Sequence, residues 1–235
     1  MDVHFPFNES GGLPEDFNKL LTGPTIKVVV GRSGEDDATW GIPRKLLCNH
    51  SKFFQKATDP SHGFKEALEG MVLLPEEDPE VFAHFVSFIY TGGYYIDDDA
   101  IAISMNNYDA PNAHAAIWML ADKLFSPRLQ YQAMKKLYEN YIPTNQGSIW
   151  YLLPHAVSFV FRNVPESSKL RLFMEDTVVQ YWDNRDVVDM NWRDEWIKLC
   201  LDNPDFNKKL LLRLSYPAVQ DGQYLKPMKH YFVGF

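Results

Sequence analysis

Met71-Val-Leu-Leu-Pro-Glu-Glu-Asp-Pro-Glu-Val-Phe-Ala-His-Phe-Val-Ser-Phe-Ile-Tyr-Thr-Gly-Gly93 contains a strand, a junction and a helix in one run. Met71 to Leu74 is a short apolar strand. Asp78-Pro79-Glu80 puts a carboxylate at an N-cap and a proline at the first helical position. Val81, Phe82, Phe85, Phe88 and Ile89 then recur on one helical face, and Thr91-Gly92-Gly93 stops the helix. Toward the N-terminus, Thr25-Ile-Lys-Val-Val-Val-Gly31 reads as a buried strand, Arg32 to Asp37 as a polar turn, and residues 39–42 as a second strand of a hairpin. A helix is expected from Pro43, because Leu46, Leu47, His50, Phe53 and Phe54 recur at helical spacing. Before Pro24 lies a polar lead with one short candidate helix, residues 15–21. Three short strands interleaved with helices exclude a doubly wound parallel sheet and predict an α+β fold, a small β-sheet covered by helices.

Downstream the pattern is all-helical. Ala113, Ala116, Ile117, Leu120, Ala121 and Leu124 form a continuous stripe, and Ser126-Pro127 caps a further helix reaching about Tyr141. Residues 106–112 read as a loop. After Ile142-Pro143, helices are expected at residues 149–161 (bent or restarted at Pro154), 168–182, 192–201 and 204–214. The third of these carries Leu170, Phe173, Met174, Thr177, Val178 and Tyr181 in register. From Tyr216 an aromatic, turn-rich tail should pack on the body. Leu46, Leu47, Phe53, Phe82, Phe85, Ile89, Ile117 and Leu120 are the expected core around the sheet.

A length of 235 residues suits one domain or two small ones at about 100–200 residues per domain. The 46% apolar and 23% charged fractions are those of a globular protein. No apolar run approaches the ~18 residues of a membrane span, and MDVHFPFNES lacks the basic start and apolar block of a signal peptide. Cys48 and Cys200 are the only cysteines, which suits a reducing compartment, so the protein is expected to be intracellular, cytoplasmic or nuclear.

The net charge of −8 opposes attraction to nucleic acid or anionic lipid. It is concentrated between Ser61 and Asp99, where nine acids (Glu66, Glu69, Glu76, Glu77, Asp78, Glu80, Asp97, Asp98, Asp99) face one base, Lys65. Such a run is either a solvated face with capping carboxylates or a partner-facing acidic surface.

The sequence carries no recognisable catalytic constellation. His4, His50, His62, His84, His114, His155 and His230 never take a tight ligand spacing, so no metal site is expected. His84 reads as a hydrogen-bonded core or boundary histidine. Gly31-x-x-Gly34 follows a strand, but no Lys-Ser/Thr follows it, and it reads as the hairpin turn. Cys48, beside Leu46 and Leu47, reads as a buried structural thiol. Few Lys or Arg interleave with the Trp and Tyr residues, which disfavours base stacking. No cofactor is expected, and the chain reads as a non-enzyme.

Five ordered motifs resemble the BTB/POZ domain. They are Ile26-Lys-Val-Val-Val-Gly31; Trp40-Gly-Ile-Pro-Arg-Lys-Leu-Leu-Cys-Asn-His-Ser-Lys-Phe-Phe54; Gly63-Phe-Lys-Glu66; Leu73-Leu-Pro-Glu-Glu-Asp-Pro-Glu-Val-Phe82; and Phe88-Ile-Tyr-Thr-Gly92. Ala121-Asp-Lys-Leu124 followed by Pro127-x-Leu129 resembles the family's last helical pair, so the resemblance runs over residues 25–141. Leu47-Cys48, Pro75-Glu-Glu-Asp-Pro79 and Pro165-Glu-Ser-Ser-Lys-Leu-Arg171 resemble in particular the stand-alone BTB proteins of filamentous fungi. The family commonly has Asp where this chain has Thr25 and His where it has Pro43, while Arg44 keeps the basic neighbour. The charged groove that the Asp and its basic neighbours form in transcription-factor members thus lacks its acid, and Arg44 lacks that partner.

The resemblance implies a protein-interaction module: a lead over residues 1–23, a BTB/POZ domain over 24–141, and a helical extension over 142–235 packed on it. Phe64-Lys65-Glu66 stands where cullin-binding members carry a hydrophobic-x-Glu motif, which makes Phe64, Lys65 and Glu66 the candidate partner-binding residues. The same residues also fit a local role, Phe64 covering the core edge and Glu66 capping. The implied function is an adaptor recruiting a partner to a cullin-type ubiquitin ligase. The alternative is an oligomerisation scaffold or transcriptional co-regulator, with homodimerisation weakened by the short N-terminal helix. The expected partners are proteins, with neither nucleic acid nor membrane among them.

Overall fold

The computed structural model describes residues 16–32, 37–62, 65–96, 112–142, 151–215 and 224–232. The chain divides into two compact units, residues 1–95 with 120–129, and residues 96–119 with 130–235.

In the first unit a short helix, α1 (Phe17–Leu20), precedes a three-stranded sheet of order β2-β1-β3. Strand β1 (Thr25–Val30) pairs antiparallel with β2 (Ala38–Pro43), Val28 opposite Trp40, and parallel with β3 (Met71–Leu74), Val28 opposite Val72. Period-2 alternation along β1 buries Ile26, Val28 and Val30. The strands and the α+β class are those the sequence predicts.

The helix expected from Pro43 is two helices, α2 (Arg44–His50) and α3 (Lys52–Ala57). Between them Ser51 is extended, at φ −146° and ψ 120°, and its hydroxyl accepts from the Phe54 amide as an N-cap. This break re-aims the phenylalanine pair. Phe54 is fully buried, whereas Phe53, an expected core residue, is only half-buried. Phe54 instead joins Phe82 and Phe85, with the Phe54 and Phe85 rings stacked 6.0 Å apart.

Helix α4 (Lys65–Glu69) leads into β3, and α5 (Pro79–Thr91) follows it. Asp78 caps α5 by accepting from the Glu80 amide at 2.7 Å and from Val81, Pro79 opens the helix, and Gly92 ends it at φ 79°. Phe82, Phe85, Phe88 and Ile89 are buried as expected, together with Leu46, Leu47, Ile117 and Leu120.

Helices α6 (Ala113–Lys123) and α7 (Pro127–Tyr141) run through the boundary between the units. The Ser126 amide donates to the Ala121 carbonyl and the Phe125 amide to that of Asp122, closing α6 in a Schellman arrangement. The residue in the left-handed position is Phe125, at φ 49°. Ser126 does not cap α7 through its hydroxyl: the Oγ is buried without a hydrogen-bond partner among the described residues.

The second unit centres on α9 (Lys169–Tyr181), flanked by α8 (Pro154–Asn163), α10 (Arg193–Asp202) and α11 (Pro204–Ser215). Its predicted stripe is buried except at Tyr181, which is half-buried, and burial extends to Arg171, Asp176 and Val179. Arg171 stacks over the Phe161 ring at 4.4 Å and donates to the Phe161 carbonyl, Glu175 and Asn203. Asp176 accepts from Lys209 and from the Tyr231 hydroxyl. The Gln180 side chain accepts from the Tyr224 and Leu225 amides, so the tail expected to pack on the body does so over residues 224–232. The expected loop at 106–112 falls outside the described residues except for Asn112, which precedes α6. Among the described residues no helix is long and apolar enough to cross a membrane.

Candidate protein-interaction site

The N-terminus of α3 leaves amides that its own helix cannot satisfy. Ser51 covers the Phe54 amide, while Lys52 and Phe53 donate to the carbonyls of Phe125 and Leu124, each at 3.3 Å. The Ser51 hydroxyl also donates to the Leu124 carbonyl at 2.6 Å. The turn after α6 is thereby fastened to the start of α3, and it presents Phe125 with 63% of its surface exposed.

Strand β3 reaches the same place from the other side. Val72 faces the core, so alternation turns Leu73 outward, 57% exposed. Phe53, Val72, Leu73 and Phe125 enclose an apolar groove of about 330 Å³. Lys52 and Lys56 stand at its edge along α3, and Glu66 lines it from α4. Of the expected partner-binding residues, Glu66 is thus placed in the groove wall. Lys65 opens α4, and Phe64 lies outside the described residues. Leu73 and Phe125 were not singled out from the sequence. Strand periodicity would have exposed the first, and an aromatic residue in the turn before Ser126-Pro127 is the signal for the second.

The acidic run is divided among several duties. Asp78 caps α5, Glu77 pairs with Lys123 at 2.8 Å and Glu76 with Arg32 at 3.8 Å, while Glu66 faces the groove. Asp97, Asp98 and Asp99 lie outside the described residues. Arg44, whose family partner would stand at position 25, donates instead to the Thr58 hydroxyl at 3.1 Å, and Thr25 is exposed.

The remaining sequence candidates take structural places. His50 is largely buried against the Phe88 ring, its Nδ1 without a hydrogen-bond partner among the described residues, and burial with the nearby Arg128 charge lowers its pKa to about 4. His84 sits half-buried beside Tyr94, a boundary position, with burial pushing its pKa down against the opposing pull of Glu80 and Asp78. Cys48 is half-buried rather than buried, its Sγ 3.5 Å from the Thr58 hydroxyl. Among the described residues, no group of three or more His, Cys, Asp and Glu is arranged to hold a metal ion.

Residues 34–141 match the family model of the BTB/POZ domain. Over those residues the chain is similar to the BTB/POZ domain. The match spans β2, β3 and α2 to α7, and it includes all the residues that wall the apolar groove. A BTB/POZ domain is a protein–protein interaction module, typically non-catalytic and often self-associating. The match is to the domain as such, and the fungal lineage finds no support in it. No curated protein matches the chain.

Proposed function

We propose that the chain is an adaptor whose BTB/POZ domain engages a cullin-type ubiquitin-ligase scaffold through the groove between α3 and β3. The observation that carries this reading is Phe125. An exposed aromatic side chain occupies a left-handed position that glycine fills at no steric cost, so the site gives up stability to keep a ring at the groove. Phe53 and Leu73 complete an apolar seat for a partner side chain, and Glu66, the last residue of the segment that resembles the motif of cullin-binding members, lines it. Lys52, Lys56 and Glu66 supply charges of both signs at the edge, which orient a partner more than they hold it. BTB proteins are typically intracellular, which accords with this role.

The test is binding of the purified full chain to a cullin N-terminal domain at two ionic strengths. Micromolar or tighter binding is expected, weakened by salt and by Leu73→Asp or the Phe64→Ala/Glu66→Ala pair. No binding at tens of micromolar, or equal binding by these variants, would end the adaptor reading and leave self-association as the function.

A further inference from the structure

A second groove, of about 490 Å³, lies wholly within the helical unit. Its floor is an edge-to-face pair of indoles, Trp182 and Trp196, with ring centroids 5.6 Å apart. Trp196 is fixed in place: it is buried, and its indole N–H donates to the Asp189 carbonyl at 2.8 Å. One rim is apolar, with Ile197 57% and Leu201 71% exposed on α10. Two guanidinium groups line the same groove, Arg193 one turn before Ile197 on α10 and Arg185 before that helix, and with Asp189 they also line an adjoining depression of about 440 Å³ beside Tyr151.

The other arginines of this unit's helical core show what is distinctive here. Arg171 is bonded to Glu175, Asn203 and a carbonyl, and Arg213 is paired with Asp183. The Arg185 and Arg193 side chains make no ion pair or hydrogen bond among the described residues. A guanidinium is charged at every physiological pH and presents a donor fork that matches a carboxylate. The chain's net charge of −8 opposes an acidic ligand at long range, so the complementarity is local: two such forks beside an aromatic floor supply a desolvated anchor seat and charge matched to an acid.

We propose that this groove docks an acidic peptide segment of a partner protein, with one aliphatic or aromatic side chain seated on Trp182 and Trp196 and neighbouring Asp or Glu carboxylates paired with Arg185 and Arg193. The site belongs to the helical unit and does not rest on the cullin reading.

The full chain, immobilised, is used to select from a displayed library of random 12-residue peptides, and a selected peptide is then synthesised, labelled and titrated by fluorescence anisotropy. Enrichment of sequences with two or more acids close to a Leu, Ile, Phe or Trp is expected. Arg185→Glu/Arg193→Glu should weaken the titrated peptide at least tenfold, Ile197→Ser severalfold, and added salt should weaken it as well. All three side chains are exposed, so folding should be kept, and unchanged melting curves check this. Leu73→Asp, in the other groove, should leave peptide affinity unaltered, so failure of the cullin reading and failure of this one are separable. Absence of enrichment, enrichment of neutral or basic peptides, or wild-type affinity in the double arginine variant would overturn the proposal. Dissociation of a wild-type dimer by Ile197→Ser would overturn it too, assigning the groove to a second copy of the chain.

Discussion

The Ser51 hydroxyl donates to the Leu124 carbonyl at 2.6 Å while accepting from the Phe54 amide, so one side chain both starts α3 and holds the turn that bears Phe125. Ser51→Ala removes the cap and leaves the Leu124 carbonyl with the Phe53 amide alone, which should cost about 1–2 kcal/mol in urea denaturation. Amide exchange at Phe53, Phe54 and Phe125 should accelerate before the rest of the first unit is affected.

Phe125→Gly separates stability from function. Releasing the left-handed backbone offsets the added chain entropy, so stability should hold or rise by up to about 1 kcal/mol, while cullin-domain binding falls. A loss of more than about 1 kcal/mol would make Phe125 a packing residue and remove its functional reading.

Phe85→Ala empties the centre of the Phe54, Phe82 and Phe85 cluster and should cost roughly 3–5 kcal/mol by chemical denaturation. A loss below about 1 kcal/mol would mean that α5 is misplaced.

Acid should destabilise the first unit through His50. Its folded pKa, about 4, lies below the ordinary value of about 6.5, so the unfolded chain binds the proton more readily between the two. Stability contributed by neutral His50 is complete above pH ~6.5 and is lost as pH falls toward ~4, by up to about 3 kcal/mol. His84, also lowered by burial, adds in the same direction, and carboxylates titrate at the lower end. The measurement is therefore the difference between wild type and His50→Gln across this window, and a difference independent of pH would refute the assignment.

In the helical unit, Asp176→Ala leaves Lys209 with Glu175 alone, at 3.6 Å, and takes away the acceptor of the buried Tyr231 hydroxyl, which keeps only the Lys226 amide. A loss of about 2–4 kcal/mol is expected, with rapid amide exchange at Tyr224 and Leu225, while Tyr231→Phe, which removes the hydrogen bonds to Asp176 and from the Lys226 amide, should cost about 1–3 kcal/mol.

The fold was legible where local signals agree. Asp78-Pro79 and Gly92 bracket α5 by capping chemistry that depends on no distant residue, and alternation in β1 fixes its buried face. The break at Ser51 was not legible, because helical spacing continues through it and its cause is the Leu124 carbonyl, remote in sequence. With the Lys52 and Phe53 amides bonded to the same turn, the break puts Phe54 in the core and Phe53 at the groove. The candidate site was readable only in outline for the same reason: Glu66 follows from a local motif, whereas Leu73 and Phe125 become neighbours of Phe53 only after the chain has folded.

The parallel pairing of β1 with β3 also governs the order in which the nascent chain can assemble. The β1–β2 hairpin is local and can close as soon as it clears the ribosome, but the second flank of β1 stays vacant until everything from α2 to α4 has been made, a matter of a few seconds at ~5–20 residues per second. During that interval Val28 and Val30 lie along an open strand edge, the kind that recruits strands from other chains. Polar substitutions that slow the docking of β3 should therefore show first as lost soluble yield during synthesis, before they register as lost stability of the finished protein.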